Sequence, residues 1–446
     1  MRICFLIPDQ PSQGVNGPTR DALHTARAMV EADHEAHVIG YGEDTAVTEP
    51  IDGVWRHRVR VTDRKLPELA DIPVATELYT AVAKYHAVMR LHSCQRVDLV
   101  VATPWPGESL VCLLDSRLTV VTRLVTSVQF MTDTGLLAGE PWLMMGRLER
   151  AVIARSRYFS AASAAIVSDT ESTFGLRLPP VTPIPLGTAD RAGSVTRAER
   201  PGSPGDVVVL CVGRCEPRKA PDVLLAAAER LAGDVRNVVY VFVGDGSWDG
   251  LRNQVEQDVR LRDHVLFLGR VDDRRLWELY AGADIVCVPS YYESFGHVLT
   301  EAMMFGKPIV ASAVGGMPSV VEEGANALLV PAGDPDRLAA CLHRLISSPV
   351  LRRNFGRRSR ELYEERYTTE RMGARKAQHF RTIVEAERQR SDGASADPRA
   401  IYGGLAGALE EVAGMEPAVA SCAADGLLGA PTGWRRRLGR RRLPSP

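Results

Sequence analysis

Residues 283–303 read ADIVCVPSYYESFGHVLTEAM, an apolar run followed by a polar turn and then a second apolar pattern. The run Ala283–Val288 is almost continuously apolar, which predicts a strand buried on both faces of a parallel sheet. From Val298 to Phe305 the apolar side chains recur at helical spacing. The stretch therefore predicts a strand, a turn and a helix, with Gly296 close to the N-terminus of that helix.

The same alternation of short apolar runs and helical patterns recurs along most of the chain. The predicted strands are Ile3–Ile7, His37–Gly40, Leu99–Ala102, Val120–Val125, Ala165–Ser168, Val181–Leu186, Val207–Val212, Val238–Val243, Val265–Leu268, Ile285–Val288, Ile309–Ala311 and Leu328–Val330. Strands that alternate with helices indicate an α/β fold of βαβ units with doubly wound parallel sheets. Ligands of such sheets bind at the carboxyl ends of the strands.

A break between two α/β halves sets the expected domain organisation. Residues 191–206 lack apolar periodicity and carry Pro and Gly, which is typical of a linker. We expect an N-terminal Rossmann-like domain over residues 1–195 and a C-terminal one over 206–367, with a cleft between them. The helical pattern at about 368–390 is a candidate to pack back on the N-terminal domain.

The C-terminal segment 391–446 is dominated by Ser, Asp, Gly, Ala and Pro. This composition predicts a solvated, disordered tail with one short helix near residues 403–413. The tail carries six arginines between Arg435 and Arg442. They give an alternative prediction, a weak contact with an anionic membrane surface or another polyanion.

Composition and charge exclude several classes of protein. With 45% hydrophobic and 24% charged residues, the chain is not a mainly disordered one. A formal net charge of −1 argues against a nucleic-acid binder that works through bulk positive charge. The apolar runs are too short for a signal peptide or a transmembrane helix, and the cysteines form no C-x-x-C pair. We therefore expect a cytoplasmic protein, at most peripheral to the inner membrane face.

Two carboxylates flank the turn that precedes the predicted helix. Glu293 falls on the turn, and Glu301 falls two helical turns further along. Their separation along the chain suits two separate hydroxyl clusters better than one shared proton. A carboxylate that accepts two sugar hydroxyls forms charge-assisted hydrogen bonds with them. The unpaired N–H groups at the helix tip, around Gly296, favour phosphate oxygens. Taken alone, Glu293 is better explained as an ordinary turn residue and Glu301 as a solvated helix residue.

Two basic residues follow another predicted strand. Arg214 and Lys219 come after Val207–Val212, so they lie at the ligand-binding edge of the sheet. A guanidinium fork and an ammonium point charge together suit a diphosphate. The alternative for both residues is ordinary surface charge.

A glycine-containing turn follows the strand that ends at Val243. The turn Gly244-Asp245-Gly246 lacks the full Gly-x-Gly-x-x-Gly fingerprint, since Gly250 falls one position late. It therefore predicts a tight strand-to-helix turn, and it argues against the alternative of a nicotinamide-dependent dehydrogenase.

The loop between the first predicted strand and helix is polar and contains Gly, so its backbone can approach a ligand closely. Arg20 lies in the first turn of the helix and is a candidate to face the cleft, with a solvent-facing side chain as the alternative.

The second half of the chain resembles the retaining GT-B glycosyltransferases of family 4, which include glycogen synthases, sucrose synthases and phosphatidylinositol mannosyltransferases. From about residue 206 to 345 the order and spacing of the family's motifs are matched. The matching motifs are Gly213-Arg214-x₄-Lys219, Val243-Gly244-Asp245-Gly246, Phe267-Leu268-Gly269-Arg270-Val271, Glu293-Ser294-Phe295-Gly296-x₄-Glu301-Ala302-Met303, Gly306-Lys307-Pro308 and Gly315-Gly316-x-Pro318. The resemblance implies two Rossmann-like domains that face an interdomain cleft.

The resemblance also implies roles for individual residues. Glu293 would hold hydroxyls of the donor sugar, and Arg214 and Lys219 would neutralise the diphosphate as the glycosyl bond breaks. Glu301 would hold the ribose. The backbone near Arg270 and Val271 would contact the base. The remaining implied donor contacts are Gly244 and the residues at the helix tip, Ser294, Phe295, Gly296, His297 and Val298. No cofactor and no metal are implied; the partners would be a nucleotide-sugar donor and a small-molecule, lipid or glycan acceptor.

The N-terminal half matches the family more loosely. The acceptor-side loop corresponds to Asn16, Gly17, Arg20 and Thr126, where Asn16-Gly17 replaces the family's glycine pair. Val125 stands where many members carry a histidine near the reacting sugar. The leading hypothesis is a retaining transferase of bacterial natural-product or surface-glycan biosynthesis. The alternative is a catalytically weakened homologue that binds a nucleotide-sugar or a partner enzyme.

Overall fold

The computed structural model describes residues 1–8, 17–42, 46–61, 66–196, 198–390 and 398–429. Their contacts divide the chain into two compact units. The first comprises the described residues within 1–123, 127–159 and 380–429, and the second comprises the described residues within 124–126 and 160–379.

A seven-stranded sheet forms the centre of the first unit. Its strands are β1 (Arg2–Leu6), β2 (Glu35–Tyr41), β3 (Ala46–Ile51), β4 (Val54–Val59), β5 (Leu99–Ala102), β6 (Val120–Arg123) and β7 (Tyr158–Ser160). They are ordered β3-β4-β2-β1-β5-β6-β7; β3 is antiparallel to β4, while β4, β2, β1, β5 and β6 run parallel. The helices of this part of the chain are α1 (Gly17–Glu31), α2 (Ala75–Cys94), α3 (Leu110–Leu114), α4 (Val128–Asp133) and α5 (Glu140–Arg155).

A six-stranded parallel sheet forms the centre of the second unit. Its strands are β8 (Val207–Val212), β9 (Val238–Val243), β10 (Val265–Gly269), β11 (Ile285–Val288), β12 (Ile309–Ser312) and β13 (Ala327–Val330). The order β10-β9-β8-β11-β12-β13 reverses its direction between β8 and β11. In a doubly wound sheet this reversal is the point at which ligands bind, beyond the carboxyl ends of the strands. The loops that follow Val212 and Val288 therefore start at this point.

Helices cover both faces of the second sheet. The helices of this part of the chain are α6 (Ala164–Phe174), α7 (Pro221–Leu231), α8 (Asp249–Gln257), α9 (Asp273–Gly282), α10 (His297–Met304), α11 (Met317–Val320), α12 (Pro335–Ile346), α13 (Pro349–Arg366) and α14 (Thr369–Arg390), and those from α7 to α13 contribute to the clusters on the two faces of the sheet. Along β8, Val207 and Val209 join one buried cluster, while Val208 and Leu210 join another on the opposite face. The continuous apolar runs thus form strands buried on both sides, and the predicted doubly wound α/β fold is confirmed.

Two predicted strands are wrong. Residues Ala165–Ser168 lie inside α6, because the Ser163 hydroxyl accepts a hydrogen bond from the Ile166 N–H at 3.3 Å and so caps a helix there. Residues Val181–Leu186 form no regular secondary structure. Conversely, β3 and β4 were not predicted. In β4, the buried residues Val54, His57 and Val59 are interrupted by the exposed Trp55 and Arg58, so the strand contains no continuous apolar run.

The expectation of a disordered tail is wrong for residues 398–429. These residues form α15 (Pro398–Ala413) and α16 (Pro417–Leu428). Leu405 and Leu409 of α15 and Ala420 of α16 are fully buried in the main core of the first unit. The small Ala and Gly side chains that suggested disorder let these two helices pack closely. The arginines of 435–442 lie outside the described residues.

The compact units also divide the chain differently from the expected boundary at residues 195–206. Residues 160–195 pack with the second unit, where Thr188 N–H donates to Tyr367 O at 2.8 Å and Thr188 O accepts from Tyr363 Oη at 2.8 Å. The last part of α14 belongs to the first unit, where Tyr158 Oη donates to Glu387 at 2.7 Å. No helix within the described ranges is long and apolar enough to cross a membrane.

Candidate active site

Two loops of the second unit meet at the point where its strand order reverses. After β8 the chain turns at Gly213 and forms a short 3₁₀-helix, Pro217–Lys219. After β11 the loop 289–296 leads into α10. The two loops are joined by their backbones, since Tyr291 N–H donates to Arg218 O at 2.8 Å. The predicted basic and acidic residues are therefore brought together.

Glu293 is the centre of this contact. Its side chain is 11% exposed, and Lys219 Nζ donates to Oε1. On the other side, Arg218 Nη1 lies 3.3 Å from Oε2. Ser290 Oγ donates to Oε1 at 3.2 Å. The carboxylate is thus held by two cations and one hydroxyl.

The ion pairs continue outward to Arg214. Arg218 Nη2 lies 2.8 Å from Glu216 Oε1, and Arg214 Nη2 lies 3.0 Å from Glu216 Oε2. The linked set of Arg214, Glu216, Arg218, Glu293 and Lys219 contains three cations and two carboxylates, a net charge of +1. We call these five residues the charge network. Arg214 is 68% exposed, so its guanidinium is accessible to an anion.

A narrow cavity lies against the charge network. Gly213, Arg214 and Lys219 line it together with Trp248 and Ser290. Arg214 and Lys219 thus face one hollow at the carboxyl edge of the sheet. An excess positive charge at such an edge suits a phosphate group.

The charges around Glu293 also set its ionisation. Burial alone would raise the pKa of Glu293, but the cations Lys219 and Arg218 outweigh it and hold the pKa below the ordinary value. Glu293 is therefore a carboxylate at neutral pH and can only accept hydrogen bonds.

Arg218 is a residue of the charge network that the sequence motifs do not indicate. The only signal for it is its position beside Lys219 in the loop after a strand. Its partner Glu293 lies far along the chain, and local sequence patterns do not specify such long-range pairings.

Glu301 is not a solvated helix residue. It lies on α10, is 6% exposed, and accepts a hydrogen bond from Tyr280 Oη at 2.7 Å. Its predicted contact with a ribose remains a prediction.

Glycines let neighbouring loops approach this site at backbone distance. Gly316 N–H donates to Glu293 O at 2.8 Å, and a Cβ on Gly316 would lie 2.1 Å from Ser294 O. A Cβ on Gly244 would lie 1.9 Å from Gly213 O. Any side chain at either position would push the loop that carries Glu293 or Arg214 away.

The tip of α10 is built as expected from its sequence. Gly296 precedes the helix with a φ of 90°, a conformation that favours glycine. The Phe295 ring is buried and meets the His297 ring edge-on, with the ring centres 5.9 Å apart. Ser294 O is already bound by Ser163 Oγ at 2.8 Å. In the first turn, Leu299 N–H donates to Gly296 O at 2.9 Å. The N–H groups of a helix's first turn point out of its N-terminus, and in α10 they include that of Val298.

The predicted base-binding residues lie beside the glycine turn. Arg270 and Val271 follow β10, and Gly244 N–H donates to Gly269 O at 2.9 Å. Arg270 Nη1 lies 3.9 Å from Asp245 Oδ2, and both side chains are largely exposed. Val271 packs against the core of the second unit.

The predicted acceptor-side residues are spread over the chain. Gly17 and Arg20 begin α1 of the first unit, and both are exposed. Thr126 groups with the second unit. Asn16 lies outside the described residues.

A buried ion pair, which the sequence motifs do not indicate, anchors the start of α1. Arg123, at the end of β6, binds the buried Asp21 carboxylate and donates to Pro18 O at 2.7 Å. Two charged residues within otherwise apolar patterns were the available signal. Within the described ranges there is no group of three or more His, Cys, Asp or Glu that could hold a metal ion.

Two families match most of the chain. Residues 196–362 match the glycosyl transferases group 1, and residues 16–187 match a glycosyl transferase 4-like domain. The second match begins near α1, and the first contains the whole charge network.

Curated relatives share a name. A D-inositol 3-phosphate glycosyltransferase of Catenulispora acidiphila is 40% identical over 168 residues, covering 35% of this chain and 39% of that protein. The chain thus spans less than half the length of this relative. The protein of the same name from Segniliparus rotundus is 28% identical over 329 residues, covering 71% of this chain and 72% of that protein.

Solved structures share the fold. A sucrose-phosphate synthase from Thermosynechococcus elongatus has a TM-score of 0.68 at 23% identity, covering 86% of this chain and 99% of that one. Anabaena HepE in complex with UDP and glucose has a TM-score of 0.63 at 21% identity, covering 86% of this chain and 100% of that one. The fold, the motifs and the family matches agree. The chain therefore belongs to family 4 of the glycosyltransferases, an enzyme family with the GT-B fold.

Proposed function

We propose that this protein is a retaining glycosyltransferase that moves a sugar from a nucleoside-diphosphate-sugar donor to a hydroxyl of an acceptor. The observation that carries the proposal is the charge network, which places a net positive charge and a buried carboxylate side by side where the strand order reverses. A diphosphate and the sugar attached to it need these two kinds of partner.

The cations act where charge develops in the reaction. As the bond from the anomeric carbon to the phosphate oxygen breaks, negative charge grows on the leaving diphosphate. Arg214 and Lys219 stabilise that charge, so they lower the barrier and do not merely strengthen binding. The N–H groups at the tip of α10 support the same phosphate. With these partners, we propose that the reaction needs neither a metal ion nor a cofactor.

Glu293 orients the donor sugar. Its ionised oxygens accept hydrogen bonds from sugar hydroxyls and place the anomeric carbon beside the cations. Glu301 holds the ribose, and the backbone near Arg270 and Val271 contacts the base.

Retention of configuration follows from a front-face reaction. The acceptor oxygen bonds to the anomeric carbon on the face from which the diphosphate departs, and its proton passes to the leaving phosphate oxygen. Glu293 is already bound to two cations, which makes it a poor nucleophile and a poor base. The phosphate therefore replaces a separate general base.

The names of the curated relatives support a choice of acceptor to test first. They are called D-inositol 3-phosphate glycosyltransferases, so a phosphorylated polyol is the first acceptor to test. We propose a role in bacterial natural-product or surface-glycan biosynthesis.

A mass-spectrometric screen tests the proposal. The protein is incubated with UDP-, GDP- and ADP-sugars, with and without D-inositol 3-phosphate, and release of nucleoside diphosphate is followed. We expect release from one donor class, and a strong reduction of that release in the Glu293→Gln variant. Protein-dependent release that is equal in the wild type and in folded Glu293→Gln would overturn the site, and no release from any donor would overturn the activity.

One observation favours the second candidate, a weakened homologue that binds a nucleotide-sugar without efficient transfer. Val125 stands at the position where many family members carry a histidine. This candidate predicts donor binding with little turnover, and a gain of turnover in the Val125→His variant. The same screen, repeated with Val125→His, separates the two candidates.

A further inference from the structure

We propose that Arg218 is a positioning residue for the reaction: it keeps the Glu293 carboxylate in place for the donor sugar while Lys219 binds the donor diphosphate. This inference rests on the proposed function, because it assumes that Lys219 leaves the Glu293 carboxylate to bind the diphosphate of a nucleotide-sugar donor.

Arg218 fastens the two loops of the site to each other. Its Nη1 donates to Tyr292 O at 2.9 Å and lies 3.3 Å from Glu293 Oε2, and its Nη2 donates to Glu216 Oε1 at 2.8 Å. Its own carbonyl accepts from Tyr291 N–H. The side chain is 16% exposed. A planar guanidinium with three partners from two loops has little freedom to reorient.

Lys219 is held differently. Its ammonium binds Glu293 and lines the cavity that Arg214 also lines. An ammonium on a four-carbon stem is a mobile point charge with three donors. When a diphosphate binds at this edge of the sheet, this ammonium is the cation that can turn toward it.

Glu293 would then depend on Arg218. A buried carboxylate that loses its only cation takes up a proton or moves toward water. Among the residues that the structure describes, Lys219 and Arg218 are the cations within salt-bridge distance of Glu293. The other polar groups there are Ser290 Oγ, which binds Oε1, and Tyr292 Oη, which binds Asp169. The loop of Gly316 contributes a backbone N–H to the Glu293 carbonyl and no charge.

The test uses Arg218→Gln and Arg218→Lys, each made in the wild type and in Glu293→Gln. We expect Arg218→Gln to reduce donor turnover roughly 10- to 100-fold, as when a reacting group is misplaced by about 1 Å, and Arg218→Lys to recover part of it. In the Glu293→Gln background the same change should have little further effect. Equal losses in both backgrounds would overturn the proposal, since Arg218 would then not act through Glu293.

Arg358→Gln is the matched control. Arg358 also pairs with a partly buried glutamate of the second unit, Glu322, at 2.8 and 3.0 Å, and it lies outside the charge network. We expect donor turnover in this variant to equal that of the wild type.

A second measurement does not depend on turnover. The Glu293 carboxyl is titrated by ¹³C NMR, with and without UDP, and its resonance is identified by its loss in Glu293→Gln. We expect the Glu293 pKa to rise in Arg218→Gln, most clearly with UDP present, and to stay at the wild-type value in Arg358→Gln. An unchanged pKa in Arg218→Gln would overturn the role of Arg218, whereas a wild type without donor turnover would overturn the proposed function instead.

Discussion

Two lysines of this chain bind a buried glutamate, one in each unit, and their surroundings differ. In the first unit, Lys84 pairs with Glu108; both side chains are 1% exposed, and Lys84 Nζ also donates to Ile7 O at 2.6 Å. In the second unit, Lys219 pairs with Glu293, but these side chains are 19% and 11% exposed. A second cation, Arg218, also faces the same carboxylate.

The difference separates a pair that holds the fold from a pair that can act on a ligand. Lys84 and Glu108 balance each other inside a closed core, so neither charge is accessible to an outside partner. The charge network around Glu293 has one positive charge in excess and opens to a cavity. Excess charge and access to solvent, more than the pairing itself, distinguish the charge network as the candidate site.

The largest expected effect is on stability, and it comes from the closed pair. Lys84→Met leaves Glu108 buried without this cation, which should lower the free energy of unfolding by about 3–5 kcal/mol. Adding Glu108→Leu should recover most of that loss, since both charges are then gone. Denaturant unfolding measures both variants. If the Lys84→Met protein were as stable as the wild type, the Lys84–Glu108 pair would not stabilise the fold, and the proposed difference between the two pairs would be wrong.

The next effect is on turnover, and it comes from the open pair. Lys219→Ala should reduce donor turnover by about 100- to 1000-fold, the usual cost of removing one donor to a developing oxyanion. Its stability should change little, because Arg218 still compensates Glu293. Steady-state kinetics and a melting curve on the same preparation measure the two effects. Full turnover in folded Lys219→Ala would remove this residue from the site.

Local patterns were enough to predict the six strands of the second sheet and the loops that follow them. β8, β9 and β11 are continuous apolar runs, and each is followed by the turn that carries a predicted site residue. Because parallel strands end at one edge, the proximity of these turns could be expected before the structure was known.

What could not be predicted depends on long-range pairing. Glu293 and Arg218 meet across two neighbouring strand ends, and Lys84 meets Glu108 across a helix and a loop. The periodic spacing of apolar residues along the sequence does not indicate either of these pairings. The tail was mistaken for disorder because α15 and α16 use Ala and Gly to pack, and such composition also occurs in flexible segments.

Ligand binding gives a third, smaller effect. If the charge network binds a nucleoside diphosphate, UDP or GDP at about 100 times its Kd should stabilise the protein by about 2.7 kcal/mol. Lys219→Ala should lose most of this stabilisation, while Arg358→Gln should keep it. Thermal shift with each nucleotide measures the effect. Equal stabilisation of wild type and Lys219→Ala would place the nucleotide elsewhere.

The smallest effect concerns the pH dependence of stability. The cations Lys219 and Arg218 hold the pKa of Glu293 below its ordinary value, although burial opposes them. A carboxyl whose pKa is lower in the folded than in the unfolded protein adds stability above its unfolded pKa. That stability is lost as the pH falls through the folded pKa.

The free energy of unfolding of the wild type minus that of Glu293→Gln isolates this contribution, because the other carboxyls titrate in both proteins. At neutral pH the variant leaves Lys219 and Arg218 without their carboxylate, so the difference should favour the wild type. It should stay constant down to about pH 5 and shrink only at more acidic pH. Denaturant unfolding at a series of pH values measures it. A difference that grows on acidification would mean that burial, and not the two cations, dominates the pKa of Glu293.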